Sequence, residues 1–213
     1  MNIYSPLHPA AFFMIQKRQR EIRRILASAY PDGVEKVNLL ETGCGNGQWL
    51  AEFQTFGFMP ENLAGIELDA KRAEFAKRRI QGADIRQGNA AELPWKDDSF
   101  DIVFQSTVFT SVKDGATRKR IASEMKRVCR KNGFILWYDF IYDSPKNPDV
   151  SGVGKNEVAA LFAPWKCKFK KITLAPPLAR AIAPHSVLAA DMLETLAPFL
   201  RTHIIAKITV SAN

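Results

Sequence analysis

The most informative stretch of the sequence is a glycine cluster that follows a short apolar run. VNLLE (37–41) has the composition of a buried strand, and it leads into ETGCGNG (41–47), after which the spacing becomes helical. A glycine-rich turn between a strand and a helix lets a ligand approach the backbone, and the start of the helix favours a negatively charged group. The cluster therefore predicts a site for a small molecule with an anionic end.

The glycine spacing argues against the nicotinamide-dinucleotide fingerprint. GxGxxG would place its third small residue at position 48, which is Gln48, whereas the third glycine here is Gly47. The strand also ends in an acid, Glu41, which would repel a pyrophosphate and attract an ammonium or sulfonium. A partly cationic ligand with a carboxylate end satisfies both features, and S-adenosylmethionine is such a ligand. A nicotinamide oxidoreductase is disfavoured on the same grounds.

A second acid follows the next apolar run, LAGIELD (63–69). Glu67 lies 20 positions after Gly47, where dinucleotide-binding folds place the acid that takes ribose hydroxyls. Asp69 is the competing candidate. We prefer Glu67, because Asp69 is also well placed to cap the helix that follows.

Candidate residues for the acceptor side lie further along the chain. Tyr138 and Asp139 fall near the end of a fifth apolar run, where open parallel sheets bind ligands, and Asp139 is the leading candidate for a general base or substrate contact. The alternative for Asp139 is a loop-capping role. Arg180, in a Pro-flanked turn, could clamp a carboxylate or phosphate, or could be a plain surface arginine. His185 is a further candidate contact, whereas His203, in the last predicted strand, is expected to be structural.

The cysteines point away from metal, disulfide and nucleophile chemistry. Cys44, Cys129 and Cys167 form an odd set without CxxC or Cys/His clustering, so neither a disulfide framework nor a zinc site is expected. No histidine adjoins Cys44 in sequence, and a small buried hydrophobe is the favoured interpretation of that thiol. A reducing cytosol follows as the expected compartment.

These candidates must be positioned by alternating strands and helices. The predicted helices are 9–29, 47–56, 70–80, 116–131, which Asn132-Gly133 would cap, and 187–197, with a further short helix after residue 154. The predicted strands are 37–41, 63–69, 84–87, 99–109, 134–142, 166–174 and 201–210. The alternation predicts an α/β fold, with a parallel sheet covered by helices on both faces. The last pieces indicate an antiparallel ending.

Composition restricts the class of protein. The chain has 213 residues, of which 46% are hydrophobic and 24% charged, so it is expected to fold as one large domain or one domain with a small appendage, and not as a disordered, collagenous or disulfide-knotted chain. No apolar run is long enough to span a bilayer, and the N-terminus has the reverse charge order of a secretory signal. The net charge is +8, but its basic clusters are interleaved with glutamate or apolar residues, as on solvated helix faces.

Four motifs in order resemble the class I S-adenosylmethionine-dependent methyltransferases, in the small type that consists of little beyond the catalytic domain (methyltransferase domain 11-like). They are ETGCGNG (41–47), GIELD (65–69), QGNAAELPWKDDSFDIVFQ (87–105) and KRVCRKNGFILWYD (126–139). The resemblance implies a doubly wound, Rossmann-like, seven-stranded sheet, mostly parallel with the last strand antiparallel. It also implies a single domain over 1–213, with an N-terminal helical lid (1–33, including Tyr4), a cofactor-binding core (37–142) and a substrate-shaping part (143–213).

The resemblance also assigns positions to the cofactor, S-adenosylmethionine, whose product is S-adenosylhomocysteine. Glu41, Gly43 and Gly45 would hold the methionine part, Glu67 the ribose, Asn89-Ala90 would flank adenine, and Gln105 would lie beside the methionine end. The expected cofactor positions in full are Glu41, Gly43, Cys44, Gly45, Gly47, Glu67, Leu68, Asn89, Ala90 and Gln105. Asn89 departs from the family, which more often has aspartate there, and its amide oxygen could still bond the adenine amino group.

The function expected from these residues is in-line methyl transfer to a small polar metabolite or sugar, by O-methylation. No added nucleic-acid-binding domain and no membrane span are predicted, so the expected partner is a small-molecule acceptor. An RNA or ribosomal-protein methyltransferase is the alternative that the positive charge supports, and it predicts steeply salt-dependent RNA binding. A non-catalytic cofactor-binding regulator is the other alternative.

Overall fold

Strands and helices alternate along the computed structural model, which describes residues 5–143 and 147–210. The helices are α1 (Pro9–Ala29), α2 (Gln48–Thr55), α3 (Ala70–Arg79), α4 (Gly115–Val128), α5 (Lys155–Phe162), α6 (Pro176–Ile182) and α7 (Val187–Leu196). The strands are β1 (Leu39–Thr42), β2 (Leu63–Glu67), β3 (Asp84–Gln87), β4 (Phe100–Ser106), β5 (Cys129–Phe140), β6 (Lys166–Leu174) and β7 (Arg201–Thr209). Short 3₁₀ turns occupy Pro60–Asn62, Phe109–Ser111 and Pro198–Leu200.

The strands form one seven-stranded sheet in the order β3-β2-β1-β4-β5-β7-β6. β1 pairs in parallel with β2 on one side and β4 on the other, and β4 continues in parallel to β5. The predicted α/β class is confirmed: the sheet is doubly wound and mostly parallel, with an antiparallel ending and helices around it. The strand order reverses beside β1, which is where open α/β sheets bind ligands, at the carboxyl ends of their strands.

β1 and β2 are fully buried, which explains their continuous apolar sequences. In register, Leu39 lies beside Leu63 of β2 and Ile102 of β4. The buried ring of Phe53 on α2 contacts Phe104 of β4 edge to face, with ring centroids 5.1 Å apart. This packing holds α2, the helix that follows the glycine turn, against the sheet.

The helix predicted over 116–131 ends earlier than expected. α4 ends at Val128, and Asn132-Gly133 lie inside β5 and do not cap the helix. A Cβ on Gly133 would come within 2.4 Å of the Asp101 carbonyl oxygen, so the glycine is there to let the neighbouring strand approach. The register between β4 and β5 shifts at the same place. Gly133 is therefore required for the pairing of β5 with β4 and not for a helix cap.

The turn predicted around Arg180 is also wrong. APPLARAIAP contains the helix α6, and Arg180 lies in its last turn. Prolines are tolerated in the first turn of a helix because their missing N–H has no partner there. Pro176 and Pro177 therefore start this helix and do not exclude one.

The described residues divide into two compact units. The larger unit comprises Asp32–Phe169 and the residues from Ala206 onward, and the smaller unit comprises the N-terminal residues through Pro31 together with Lys170–Ile205. Within the smaller unit a buried cluster joins α1 to α6 and α7; its members are Ala10, Phe13, Leu174, Ala179, Ala183 and Ala190. Tyr4, in the segment predicted to form part of a lid, lies outside the described residues.

Among the described helices, none has the length and apolar character needed to cross a membrane. The same part of the chain contains no group of three or more His, Cys, Asp or Glu side chains arranged to hold a metal ion.

Candidate active site

The glycine turn between β1 and α2 adopts a left-handed backbone. Gly43 and Gly45 have φ values of 69° and 54°, a region that side-chain-bearing residues rarely enter. A Cβ on Gly43 would lie 2.5 Å from a methyl group of Val108, so the turn also has no room for a side chain there. The Cys44 N–H donates to the Ile66 carbonyl of β2 at 2.9 Å. The backbone of the turn is thus fixed to the neighbouring strand.

Two buried carboxylates lie at this turn. Glu41 belongs to β1 and Glu67 ends the adjacent β2, in the register that pairs Glu41 with Gly65. Glu67 accepts hydrogen bonds from the Gly45 N–H at 2.8 Å and the Asp69 N–H at 3.1 Å. The guanidinium of Arg72 lies 3.7 Å from the same carboxylate. Glu67 is therefore held by the backbone of the turn that it faces.

These residues fit S-adenosylmethionine. Two buried negative charges favour a cationic ligand, as a sulfonium is, and a glycine backbone allows close contact with a ligand's carboxylate and amino group. Each carboxylate oxygen of Glu67 has a second lone pair beyond its backbone bond, so Glu67 can still accept from a ribose diol. Asp69 accepts from the Arg72 N–H at 2.9 Å as the N-cap of α3, as the sequence predicts.

The thiol of Cys44 is buried within the turn, between the two carboxylates. Burial raises its pKa well above the ordinary value, and the negative charges of Glu41 and Glu67 raise it further. Burial likewise raises the pKa of Cys129 to about 12. A thiol that stays protonated at neutral pH is a poor nucleophile. The geometry supports the interpretation of Cys44 as a small packed hydrophobe.

Three further residues predicted to bind the cofactor occupy two loops of the larger unit, and two of them, Asn89 and Ala90, are predicted to flank adenine. Leu68, directly after Glu67, has a largely exposed apolar side chain. Asn89 follows β3 and its side-chain oxygen accepts from the Ala91 N–H at 2.9 Å, next to Ala90. One lone pair of that oxygen remains, which an adenine amino group could use. The adenine contacts themselves stay predictions.

Gln105, at the end of β4, is fully buried and engaged at both ends of its amide. Its nitrogen donates to the Tyr138 carbonyl at 3.2 Å, and its oxygen accepts from the Val108 N–H at 3.1 Å. Val108 is the residue whose methyl group limits space at Gly43. Gln105 therefore positions the segment that faces the glycine turn. Its placement beside the methionine end of a cofactor stays a prediction.

Asp139, near the end of β5, is fully buried with its side chain on backbone donors. It accepts from the Phe140 N–H at 3.0 Å and the Thr110 N–H at 3.3 Å. Burial raises its pKa to about 7, an effect that hydrogen bonds from Thr110, Phe140 and Gln105 only partly offset. A carboxyl group with a pKa near neutrality can both accept and release a proton at physiological pH. The predicted end-of-strand position is confirmed, and the role of a base stays a prediction.

Arg118 is a buried residue that the sequence argument missed. Its guanidinium on α4 donates to the carbonyls of Phe109 and Val112, to Ser151 at 2.7 Å, and to Glu157 at 2.6 Å. It thereby holds the 3₁₀ turn after β4, which carries Thr110. In the sequence Arg118 is one of several basic residues on a helix, and no local pattern sets it apart.

The remaining predicted contacts lie on separate elements. Tyr138 is buried within β5 of the larger unit. Arg180 and His185 belong to the smaller unit, with Arg180 partly buried in α6 and His185 exposed just before α7. Burial, together with the nearby positive charge of Arg18, lowers the pKa of His203 to about 4. The imidazole is therefore neutral at physiological pH, which is consistent with the structural role predicted for it. The substrate contacts of Tyr138, Arg180 and His185 stay predictions.

Comparison with known proteins finds similarity within the larger unit. Residues 40–137 match the model of the methyltransferase domain. A fatty-acid O-methyltransferase of Mycolicibacterium smegmatis is 32% identical over 120 residues, which cover 53% of this chain and 41% of that protein. A demethylmenaquinone methyltransferase of Thermotoga maritima is 25% identical over 136 residues, covering 64% of this chain and 56% of that protein. The chain thus matches about half the length of these relatives.

Solved structures share the fold. A geranyl diphosphate C-methyltransferase from Streptomyces coelicolor, in complex with Mg²⁺, geranyl diphosphate and S-adenosyl-L-homocysteine, superposes with a TM-score of 0.65 at 14% identity, covering 91% of this chain and 79% of that one.

Proposed function

We propose that this chain, of which residues 40–137 match the methyltransferase domain, transfers a methyl group from S-adenosylmethionine to an oxygen of a small-molecule acceptor. The observation that carries the proposal is the pair of buried carboxylates, Glu41 and Glu67, at a left-handed glycine turn. That combination suits a ligand with a cationic centre and a ribose.

The residues of the turn have separate tasks in this proposal. The backbone of Gly43 and Gly45 and the carboxylate of Glu41 hold the methionine part, and Glu67 accepts from the ribose hydroxyls. When bound, the cofactor supplies an electrophilic methyl group on a sulfonium with a good leaving group. The protein then has to align the acceptor and exclude water, because the displacement is in line.

Asp139 is the group we propose for the acceptor proton. An acceptor hydroxyl needs a base only as the methyl group arrives, and a carboxylate with a pKa of about 7 is ionised in a large share of molecules at neutral pH. The segment around Thr110, which donates to Asp139, is held by Arg118, so a proton acceptor here would be firmly oriented.

Two acceptor classes are open to test. The sequence favours a small polar metabolite or sugar. The names of two relatives, a fatty-acid O-methyltransferase and a demethylmenaquinone methyltransferase, favour an acceptor with a long apolar part. The name of the fatty-acid O-methyltransferase specifies oxygen as the acceptor atom, and we keep O-methylation as the proposal.

Turnover with methyl-labelled S-adenosylmethionine tests the proposal. The wild type is incubated with panels of sugars and polar metabolites, of fatty acids and of quinols, and label and S-adenosylhomocysteine are followed together. We expect labelled product with one panel, a loss of it in Glu67→Ala, and its retention in Asp69→Ala. No S-adenosylhomocysteine with any panel, in a protein that also fails to bind the cofactor, would contradict the proposal.

A further inference from the structure

The outer face of α7 carries an exposed apolar stripe. Leu188, Met192 and Leu196 follow one another at intervals of four residues and are 70%, 54% and 76% exposed. Phe199, in the 3₁₀ turn that follows, is exposed as well. A contiguous apolar face on a folded unit marks a surface that contacts another apolar phase. No described residue covers this stripe.

A basic pocket of about 300 Å³ lies in the same unit. Six cationic side chains line it: Lys17, Arg20, Arg24, Lys170, Lys171 and Arg201. Only two carboxylates, those of Glu21 and Glu194, share the lining. The pocket therefore has an excess of positive charge, which favours an anionic ligand.

The carboxylates hold some of these cations in place without neutralising the rest. Glu21 pairs with Lys170 and with Arg24, and Lys17 pairs with Asp191 of α7. Arg20 is exposed and forms no ion pair with the described residues. Positioned cations beside an unpaired one are an arrangement that can receive a phosphate group.

The stripe and the pocket share a border on α7. Thr195 lines the pocket and lies close to Leu188 and Met192 on the helix surface, because residues three and seven apart are neighbours around a helix of 3.6 residues per turn. One surface therefore presents apolar side chains directly beside cations. The interface of a bilayer with anionic lipids offers the matching pair, acyl chains beside phosphates.

We propose that the smaller unit docks on membrane surfaces that contain anionic phospholipids, with the α7 stripe in the acyl-chain boundary and the pocket on lipid phosphates. Glu194 also lines the pocket, and its buried Oε2 lies 3.8 Å from Nζ of Lys17, so it pairs with the same lysine as Asp191 does. This docking goes beyond methyl transfer and does not depend on it.

The positive charge of the pocket favours an anionic lipid surface over a second copy of the chain as the partner of the stripe. Two copies that paired their stripes symmetrically would bring the same basic pocket of each copy to one interface, and like charges there repel. An anionic lipid surface neutralises the same cations.

Vesicle co-sedimentation tests the proposal with the full chain. We expect binding to vesicles of phosphatidylcholine with phosphatidylglycerol, weak binding to phosphatidylcholine alone, and a decline with added salt. Leu188→Gln with Leu196→Gln should lower the partition coefficient at least ~10-fold. Arg20→Gln with Arg24→Gln should lower it about 25-fold, at about fivefold per cation. The controls Met59→Gln and Lys36→Gln, which replace an exposed apolar and an exposed basic residue of the larger unit, should stay within about twofold of the wild type.

Circular dichroism and urea unfolding check that each variant folds. Equal binding to neutral and anionic vesicles, or unchanged binding in both double variants, would overturn the proposal. So would saturable binding of inorganic phosphate without vesicle binding, which would assign the pocket to a free phosphate. Concentration-dependent dimerisation that the stripe variants abolish, with no vesicle binding, would assign the stripe to a second copy.

Discussion

The two units of this protein handle charge in opposite ways. In the larger unit the two carboxyl groups of the candidate site, those of Glu67 and Asp139, are buried and accept hydrogen bonds from backbone N–H groups. Gly45 donates to Glu67, and Thr110 and Phe140 donate to Asp139. In the smaller unit several of the charges that line the basic pocket pair with one another near the surface, as Glu21 does with Lys170, although Glu194 is buried. Buried charges held by the backbone are costly to disturb, whereas exposed pairs contribute little to stability. The substitutions below should therefore separate the two units by the size of their effects.

The largest effect is expected at Asp139. Its folded pKa of about 7 lies above the ordinary value of 3.8, so between about pH 4 and 7 the folded state keeps a proton that the unfolded chain has released. The free energy of unfolding should therefore fall as the pH rises through this window, by about 4 kcal/mol in total. Asp139→Asn has no proton to lose. In urea unfolding from pH 4 to 8, its free energy of unfolding should therefore rise by that amount relative to the wild type.

Asp32→Asn, at an exposed position, is the control for that measurement and should follow the wild type at every pH. Parallel stability curves for the wild type and Asp139→Asn would show that the Asp139 carboxyl titrates normally, and the proposed base would lose its support.

Gly43→Ala is expected to have the next largest effect. Alanine at a φ of 69° is strained, and its Cβ would collide with Val108. We expect a loss of about 3 kcal/mol in the free energy of unfolding and a drop of about 100-fold in affinity for S-adenosylhomocysteine. Gly115→Ala, where nothing lies within 4 Å of the new Cβ, is the matched control and should be neutral or slightly stabilising. Equal behaviour of the two variants would mean that the turn is not rigid.

Glu67→Ala should lower the affinity for S-adenosylhomocysteine about 30-fold, or about 2 kcal/mol, because a charged hydrogen-bond acceptor for the ribose hydroxyls is lost. Asp69→Ala should instead cost about 1 kcal/mol of stability through the lost helix cap and leave affinity nearly unchanged. Calorimetric titration and urea unfolding of both variants measure the two quantities. The reverse pattern would transfer the ribose role to Asp69.

The smallest effect on stability is expected in the smaller unit. Leu196 is exposed on α7, so Leu196→Gln should change the free energy of unfolding by at most about 0.5 kcal/mol. Leu50→Gln, at a fully buried position on α2, should cost several times more. A large loss in Leu196→Gln would show that the stripe packs inside the protein in solution, and the contrast between the units would disappear.

The sequence predicts those parts of the structure that depend on neighbours along the chain. The run from β1 through ETGCGNG into α2 was predicted because burial, left-handed glycines and helix spacing all act within a dozen residues. The Asp69 cap was predicted for the same reason. The match to the methyltransferase domain over residues 40–137 includes both the glycine turn and Asp69.

The incorrect predictions concern residues whose structural role cannot be read from the neighbouring sequence alone. Gly133 was assigned to a helix cap, but it makes room for the Asp101 carbonyl on the neighbouring strand. The prolines before Arg180 predict a turn, but Pro176 and Pro177 begin the helix α6, because proline is compatible with the first turn of a helix. In both cases the residue type was informative and its structural partner was not visible in the sequence.

Other features could not be predicted from the sequence at all. Arg118 became distinct from other basic residues only when the fold enclosed it among four acceptors. The basic pocket joins side chains from α1, β6, α7 and β7, of which α1 lies far from the others in the sequence. Side-chain surfaces assembled from distant segments leave no motif, whereas a site built from one backbone turn does.

Calorimetric titration of the wild type with S-adenosylhomocysteine, with NADH as the parallel ligand, tests the central claim most directly. The claim is that the buried acids and the left-handed turn form a site for a cationic nucleoside cofactor and its product. The account predicts saturable micromolar binding of S-adenosylhomocysteine and no binding of NADH. Binding of NADH, or of neither ligand by the folded protein, would contradict it.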